Sequence, residues 1–191
     1  NDEYRSGRYE EAIQGYTKAL KNDPEYMEAL FNTGNALQQM ARRLQEQAQN
    51  AQSEEEKKEL MEGAKTASEK AASQFASVAK MAKTNEEINK AQYNLGNARL
   101  MSGELEEGIE AYKEALRKAP DDEDARYNLA YAQHLKKQQE QQQQKQDQEQ
   151  QQDEQKDQEK KEQEQNQDQQ NQEQQQNQEQ QQPQQMSKEE A

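Results

Sequence analysis

Tyr93-Asn94-Leu95-Gly96-Asn97-Ala98 and Tyr127-Asn128-Leu129-Ala130-Tyr131-Ala132 are one six-residue pattern written twice. Asn94 and Asn128 stand 34 positions apart (128 − 94). That is the period of a helix-turn-helix unit, which buries its apolar face only by stacking on its neighbours. A third copy, Phe31-Asn32-Thr33-Gly34-Asn35-Ala36, lies 62 positions before the Tyr93 copy (93 − 31), or one period plus an insertion of 28. Another set matches without a gap at an offset of 96. Gly7, Tyr9, Ala12, Tyr16, Ala19 and Pro24 align with Gly103, Leu105, Gly108, Tyr112, Ala115 and Pro120.

Each recurring residue has a mechanical reason. Gly34, Gly96, Ala130, Ala12, Gly108, Ala19 and Ala115 are small where paired helices approach closely, and Tyr9, Tyr16 and Tyr112 fill the space between. Gly7 and Gly103 mark the tight turn between helices, where a positive φ is often required. Pro24 and Pro120 end the second helix of each pair, because proline cannot continue it and biases the residue before it toward extended backbone. Asn22-Asp23-Pro24 and Ala119-Pro120-Asp121-Asp122 set proline beside short side chains able to bond local backbone.

Between Gln38 and Gln74 the repeat is interrupted, yet an apolar seam continues through Leu37, Met40, Ala41, Leu44, Ala48 and Ala51. Ser53 with Glu56 fits a capping box that starts a new helix. Leu60, Ala64, Ala67, Ala71, Phe75 and Val78 then give a second seam, with Glu54 and Lys58 as a pair on the solvent side. The reading is two lengthened helices folded back as an antiparallel hairpin, against the alternative of a loose charged insertion. The connection from Met81 to Asn89 has no proline and is expected to be longer than in the other repeats.

Composition bounds the rest. From Leu135 to Met186 there is no aliphatic or aromatic residue between. Such a stretch cannot offset the entropy of ordering, roughly 1–2 kcal/mol per residue, so the core is expected within about residues 1–137. The net charge of −14 argues against nucleic acid, whose phosphates are held by Lys and Arg. No run approaches the roughly 20 apolar residues that span a bilayer. Without Cys there are no disulfides, thiolate metal sites or cysteine nucleophiles. His134, the single histidine, sits beside Lys136 and Lys137 and reads as a solvated surface residue. The carboxylates lack metal-ligand spacing and there is no glycine-rich phosphate loop. The expectation is a non-catalytic chain with no cofactor and no metal.

Gly7-Arg8-Tyr9-Glu10-Glu11-Ala12-Ile13 through Tyr16, Ala19-Leu20 and Pro24, and Asn94-Leu95-Gly96-Asn97-Ala98 through Pro120, resemble the tetratricopeptide repeat (TPR) family. The resemblance implies an all-α fold: a TPR helix-turn-helix solenoid with an elongated helical-hairpin insertion, followed by a disordered or marginally helical Gln-rich tail. The domain reading is 1–137 as the repeat domain. It divides into a partial repeat 1–26, an interrupted repeat 27–88 with the hairpin at about 41–70, a repeat 89–122 and a capping helix 123–137. After it come a Gln-rich tail at 138–185 and, at 186–191, the start of a cut helix with Ser187 and Glu190 in capping-box spacing. Asn1 aligns with Asn35 and Asn97 inside a first helix, so the chain is expected to be a fragment at both ends, with any export signal upstream.

Stacked first helices would line a concave groove. By resemblance that groove would be faced by Asn1, Tyr4, Phe31, Asn32, Asn35, Lys90, Tyr93, Asn94, Asn97, Met101 and Tyr127. Its asparagine amides suit both N–H and C=O groups of an extended peptide. Asn1, Asn32 and Lys90 fit part of a carboxylate clamp, but Asn94 stands where such a clamp carries Arg, so chaperone-tail binding is not expected. The whole layout, with its Ala-Arg-Tyr-Asn-Leu helix, Gln-rich linker and closing Met-Ser-Lys-Glu, is similar to the BatC family of the Bacteroides aerotolerance operon. That implies an exported protein of the periplasm or cell envelope, with the cytoplasm as the alternative, that associates with von Willebrand factor A-domain partners. The function expected is a scaffold binding a partner segment in the groove. The alternatives are a structural oligomer paired through the inserted hairpin, or a chaperone-like accessory protein; the residues do not fix the oligomeric state.

Overall fold

A computed structural model of the chain describes residues 2–148, 150 and 156. It divides into two units, Asn1–Gln138 and Gln139–Ala191. Among the described residues all regular structure is α-helical. In the first unit these are α1 (Asp2–Arg5), α2 (Tyr9–Asn22), α3 (Met27–Gln49), α4 (Glu54–Met81), α5 (Asn85–Ser102), α6 (Leu105–Lys118) and α7, which begins at residue 123. In the second, 139–148 are helical. The expected helix start at 186–191 and the tail beyond 156 lie outside the described residues.

Each helix packs mainly on its sequence neighbour, α1 on α2, α2 on α3, α3 on α4, α4 on α5 and α5 on α6, as the repeat requires. The glycine turns take the expected form. Gly7 has φ 74° and Gly103 φ 87°; past them, Arg8 N–H donates to Glu3 C=O at 2.9 Å and Glu104 N–H to Arg99 C=O at 2.9 Å. This is the bond by which a left-handed residue satisfies a helix's last carbonyls. The proline-flanked ends behave likewise. Asp23 Oδ1 accepts from Glu25 N–H at 3.1 Å, and Asp122 Oδ1 accepts from Ala125 N–H at 2.9 Å, capping α7.

The inserted hairpin is formed by α3 and α4, of 23 and 28 residues, turning at 50–53. Ala41, Ala48, Ala64, Ala67 and Ala71 are buried along the seam. Alanine at these places lets the two backbones approach closely over several turns. Two expectations need correction at the tip. Ser53 Oγ accepts from Glu56 N–H at 3.1 Å, but the Glu56 carboxylate returns to Gln52 N–H at 2.8 Å rather than to Ser53. Glu54 pairs with Lys57 at 3.9 Å, not with Lys58; both ions are exposed, so the pair adds little.

The expected long connection from Met81 to Asn89 is also corrected. It is only residues 82–84, because Thr84 caps α5: its hydroxyl accepts from Glu87 N–H at 3.1 Å and Glu87 Oε2 accepts from Thr84 N–H at 3.0 Å. Polar Lys83-Thr84-Asn85-Glu86 reads as loop when only apolar spacing is followed, and the capping pair makes it the first turn of a helix.

Two glycines let rings in. A Cβ on Gly34 would lie 2.7 Å from the Phe75 ring, and one on Gly96 would lie 2.6 Å from the Tyr112 ring. Both rings are fully buried. Phe75 packs with Leu37, Ala71, Ala72 and Ala98, joining α3, α4 and α5. Tyr112 packs with Ile109 and Ala132, joining α6 to α7. Gly15 is the opposite case, an exposed glycine in mid-helix with nothing within 4 Å of a Cβ. Gly15→Ala is expected to stabilise the unit by about 0.5–1 kcal/mol through helix propensity alone. A rise in the urea midpoint at unchanged slope checks it; a fall would mean that α2 is packed differently.

Candidate protein-binding face

The first helices of successive hairpins, α3, α5 and α7, are tied side by side by side-chain hydrogen bonds. Gln38 Nε2 on α3 donates to the Asn94 carbonyl on α5 at 3.1 Å. Asn128 Nδ2 on α7 donates to Asn97 Oδ1 at 2.9 Å and to the Tyr93 hydroxyl at 3.3 Å. Asn89 Nδ2, near the start of α5, bonds Asp122 Oδ2 at 2.8 Å. The face of these helices therefore has a fixed lateral spacing.

Of the residues expected on this face, Asn1 lies outside the described residues. Tyr4 is half-buried, edge-on to Tyr9 with centroids 5.6 Å apart. Phe31 stands edge-on to Phe75 at 5.5 Å. Met101 is half-buried on the last turn of α5, and Tyr127 is exposed on α7 (73%). Asn94 donates to its own helix, at the Lys90 carbonyl 2.8 Å away. Lys90 is exposed and bonded to Glu86 at 2.6 Å.

Asn97 is tied into the packing. Its Oδ1 accepts from both the Tyr112 hydroxyl, at 2.8 Å, and Asn128, so its acceptor capacity is used inside the repeat. Asn35 is its counterpart one hairpin earlier, but there the ring on the glycine is Phe75, which has no hydroxyl. Among the described residues the side chains of Asn32 and Asn35, both half-buried, make no hydrogen bond. The unbonded asparagine amides thus belong to α3, and those tied between helices to the α5–α7 end. Sequence alignment alone treats Asn35 and Asn97 as equal; the Phe75/Tyr112 difference is the signal that separates them.

Burial, with Tyr93 beside it as the lesser cause, holds the Tyr112 phenol far above its ordinary 10.0. Below about pH 10 the phenol is protonated folded or unfolded, and its packing counts in full. Above that, the unfolded chain releases a proton that the folded chain keeps, so stability falls by up to about 1.4 kcal/mol per pH unit. Tyr112→Phe is expected to cost about 1 kcal/mol at pH 7 for the lost hydrogen bond, yet to lose stability less steeply than the parent above pH 10. Urea unfolding across that range checks it; equal slopes would contradict the burial of the phenol.

Phe31 and Lys90 meet at a cleft of about 190 Å³ lined by Met27, Glu28, Phe31, Val78, Glu87 and Lys90. Met27, Glu28, Val78 and Glu87 were not among the expected groove residues. Glu28 and Phe31 share a helical stripe, and so do Glu87 and Lys90, which is the pattern that reveals them. Backbone N–H groups of Thr84 and then Lys83 hold the Glu87 carboxyl below its usual range, so it stays charged. The charge of Glu28 raises the Tyr26 phenol, whose hydroxyl donates to Glu28 Oε2 at 3.3 Å.

Residues 1–40 and 96–137 match the family model described as TPR repeat. No curated protein matches the chain. Among solved structures, the first TPR of Spaghetti (RPAP3) bound to the HSP90 peptide SRMEEVD is 23% identical, with a TM-score of 0.46 over 71% of this chain and 85% of that one. The first TPR domain of human RPAP3 is 22% identical, with a TM-score of 0.46 over 70% and 84%. The matching family model describes a repeat and not an enzyme family.

Proposed function

We propose that the chain is a non-catalytic scaffold that binds an extended segment of a partner protein across α1, α3 and α5. The observation that carries this is the pair of unbonded, half-buried amides of Asn32 and Asn35 on the helix that also supplies Phe31 and Met27 to an apolar cleft. An amide offers donors and an acceptor together, which suits peptide backbone, and an apolar recess beside it suits a side chain. Tyr4, Lys90 and Asn94 flank this end of the face, while Tyr93, Asn97, Met101 and Tyr127 extend it toward α7. On the resemblance to the BatC family, the partner is a von Willebrand factor A-domain protein in the periplasm or envelope, in a system linked to aerotolerance.

Asn32→Ala/Asn35→Ala removes amides that no helix uses, so folding is expected to be unchanged by circular dichroism. Affinity capture from an envelope extract should lose one dominant partner with this variant. Unchanged capture would sink the groove reading. A second reading, pairing of two copies through the inserted hairpin, is favoured by exposed Met61 (47%) and by a cleft of about 770 Å³ where Met40, Leu44, Gly63 and Ala67 are edged by charged side chains such as Glu59 and Lys70. If shortening the hairpin by residues 45–70 turns a dimer into a monomer in sedimentation, that reading gains; a monomer before and after removes it.

A further inference from the structure

The cleft between α3, α4 and α5 has a chemistry of its own. Its walls are Met27, Phe31 and Val78, and its volume is about 190 Å³. An apolar cavity of about 150 Å³ already holds a benzene molecule, so this one has room for a single large side chain. Charge surrounds it unevenly. Lys90 on the rim pairs with Glu86 at 2.6 Å and Lys83 acts on Glu87, so Glu28, Glu86 and Glu87 outnumber two lysines around the recess. Glu87 accepts from the N–H groups of Lys83 and Thr84, both 3.0 Å from its Oε2, which holds its carboxylate at the start of α5. The acidic character continues toward α1 and α2, where Glu3 and Glu28 both act on the Tyr16 phenol, after burial and Tyr4, to raise it. The unit that holds the cleft, residues 1–138, carries 20 Lys and Arg against 25 Asp and Glu, a net −5 (20 − 25), a mild field that draws cations to an acidic rim and repels acidic peptides.

We infer that the cleft takes one aliphatic side chain, Leu, Ile or Met, of an extended segment whose neighbouring residues are Lys or Arg facing Glu28 and Glu87. This rests on the groove reading above and adds the sign of the partner. An acidic peptide would meet like charge from Glu28 on α3 and Glu87 on α5, where three carboxylates outnumber Lys83 and Lys90.

The test uses the full chain and three short fluorescein-labelled peptides: a Leu flanked by Lys, the same Leu flanked by Glu, and the Lys peptide with Leu replaced by Ser. Anisotropy at low and high salt should show the Lys-flanked Leu peptide binding about tenfold or more tighter than either control, with the advantage over the Glu peptide shrinking at high salt. Glu28→Gln, at an exposed position, should weaken the Lys peptide and strengthen the Glu peptide. Asn32→Ala/Asn35→Ala should weaken both, because backbone contacts are shared. Equal or tighter binding of the Glu peptide overturns the inference while leaving the groove reading intact if the asparagine variant still weakens it. Binding insensitive to Leu→Ser overturns the cleft as the anchor. Binding of none of the peptides overturns the inference, and the capture experiment then judges the groove separately.

Discussion

Phe75→Ala is expected to lower the unfolding free energy by about 3–5 kcal/mol, the usual loss when a buried ring is cut to a methyl group. Against a total of about 5–15 kcal/mol for a domain, that is a large share of the whole, and a unit near the lower figure would be partly unfolded at 37 °C. The size follows from position. Phe75 is fully buried, seals Gly34 on α3, and shares a cluster with Ala98 of α5, so its loss opens a cavity at the junction of three helices. A companion substitution makes the expectation specific. Gly34→Ala should destabilise the parent by about 1–3 kcal/mol through overpacking, since its Cβ would meet the ring at 2.7 Å. In the Phe75→Ala background the same change should be neutral or stabilising, because the ring is gone and alanine is the better helix former. Urea denaturation of the four proteins gives the coupling directly. Additive effects would show that the ring does not sit on Gly34.

The second large effect is at Tyr112. Tyr112→Ala should cost about 3–5 kcal/mol, and the damage should extend to α7. Tyr112 covers Gly96, packs against Ala132, and donates the hydroxyl bond that orients Asn97 toward Asn128. With the ring removed, Asn97 and Asn128 remain paired but unsupported. Hydrogen exchange should therefore quicken along 123–138 more than along α3. Equal quickening in both places would mean that the unit unfolds only as a whole and that α7 is not held through Tyr112.

Much of this architecture could be read from spacing. The offsets of 34, 62 and 96 give the helix pairs and the small residues at Gly34 and Gly96, and the positive φ of Gly7 and Gly103 follows from steric rules that act within a few residues. The hairpin was legible for the same reason, since alanines three and four apart describe a seam whatever their partner is. The start of α5 was not, because Thr84 and Glu87 carry it by hydrogen bonds rather than by apolar spacing. The face was only half legible. Asn35 and Asn97 are equivalent in the repeat, and what separates them is Phe75 against Tyr112, 40 and 15 residues further along the chain (75 − 35 and 112 − 97). The insertion hides that correspondence. The cleft of Met27, Glu28, Val78 and Glu87 draws on three helices, so no local pattern could assemble it.

The hairpin of α3 and α4 has a kinetic consequence. At about 1.5 Å per residue, helices of 23 and 28 residues run roughly 34 and 42 Å, past the reach of α5 at 18 residues. Beyond α5 its turns pair chiefly across the hairpin, so their contacts are close in sequence and cheap to form, while each broken turn at the tip exposes little buried area. Such an arm opens and closes as a zipper from residues 50–53 inward, many times for each opening of the stack. Amide exchange should grade along it, fastest at the tip and slowest beside Phe75. The protein would then carry a stiff base with a fraying end, and a protease would find its first purchase at the tip well before the repeats themselves gave way.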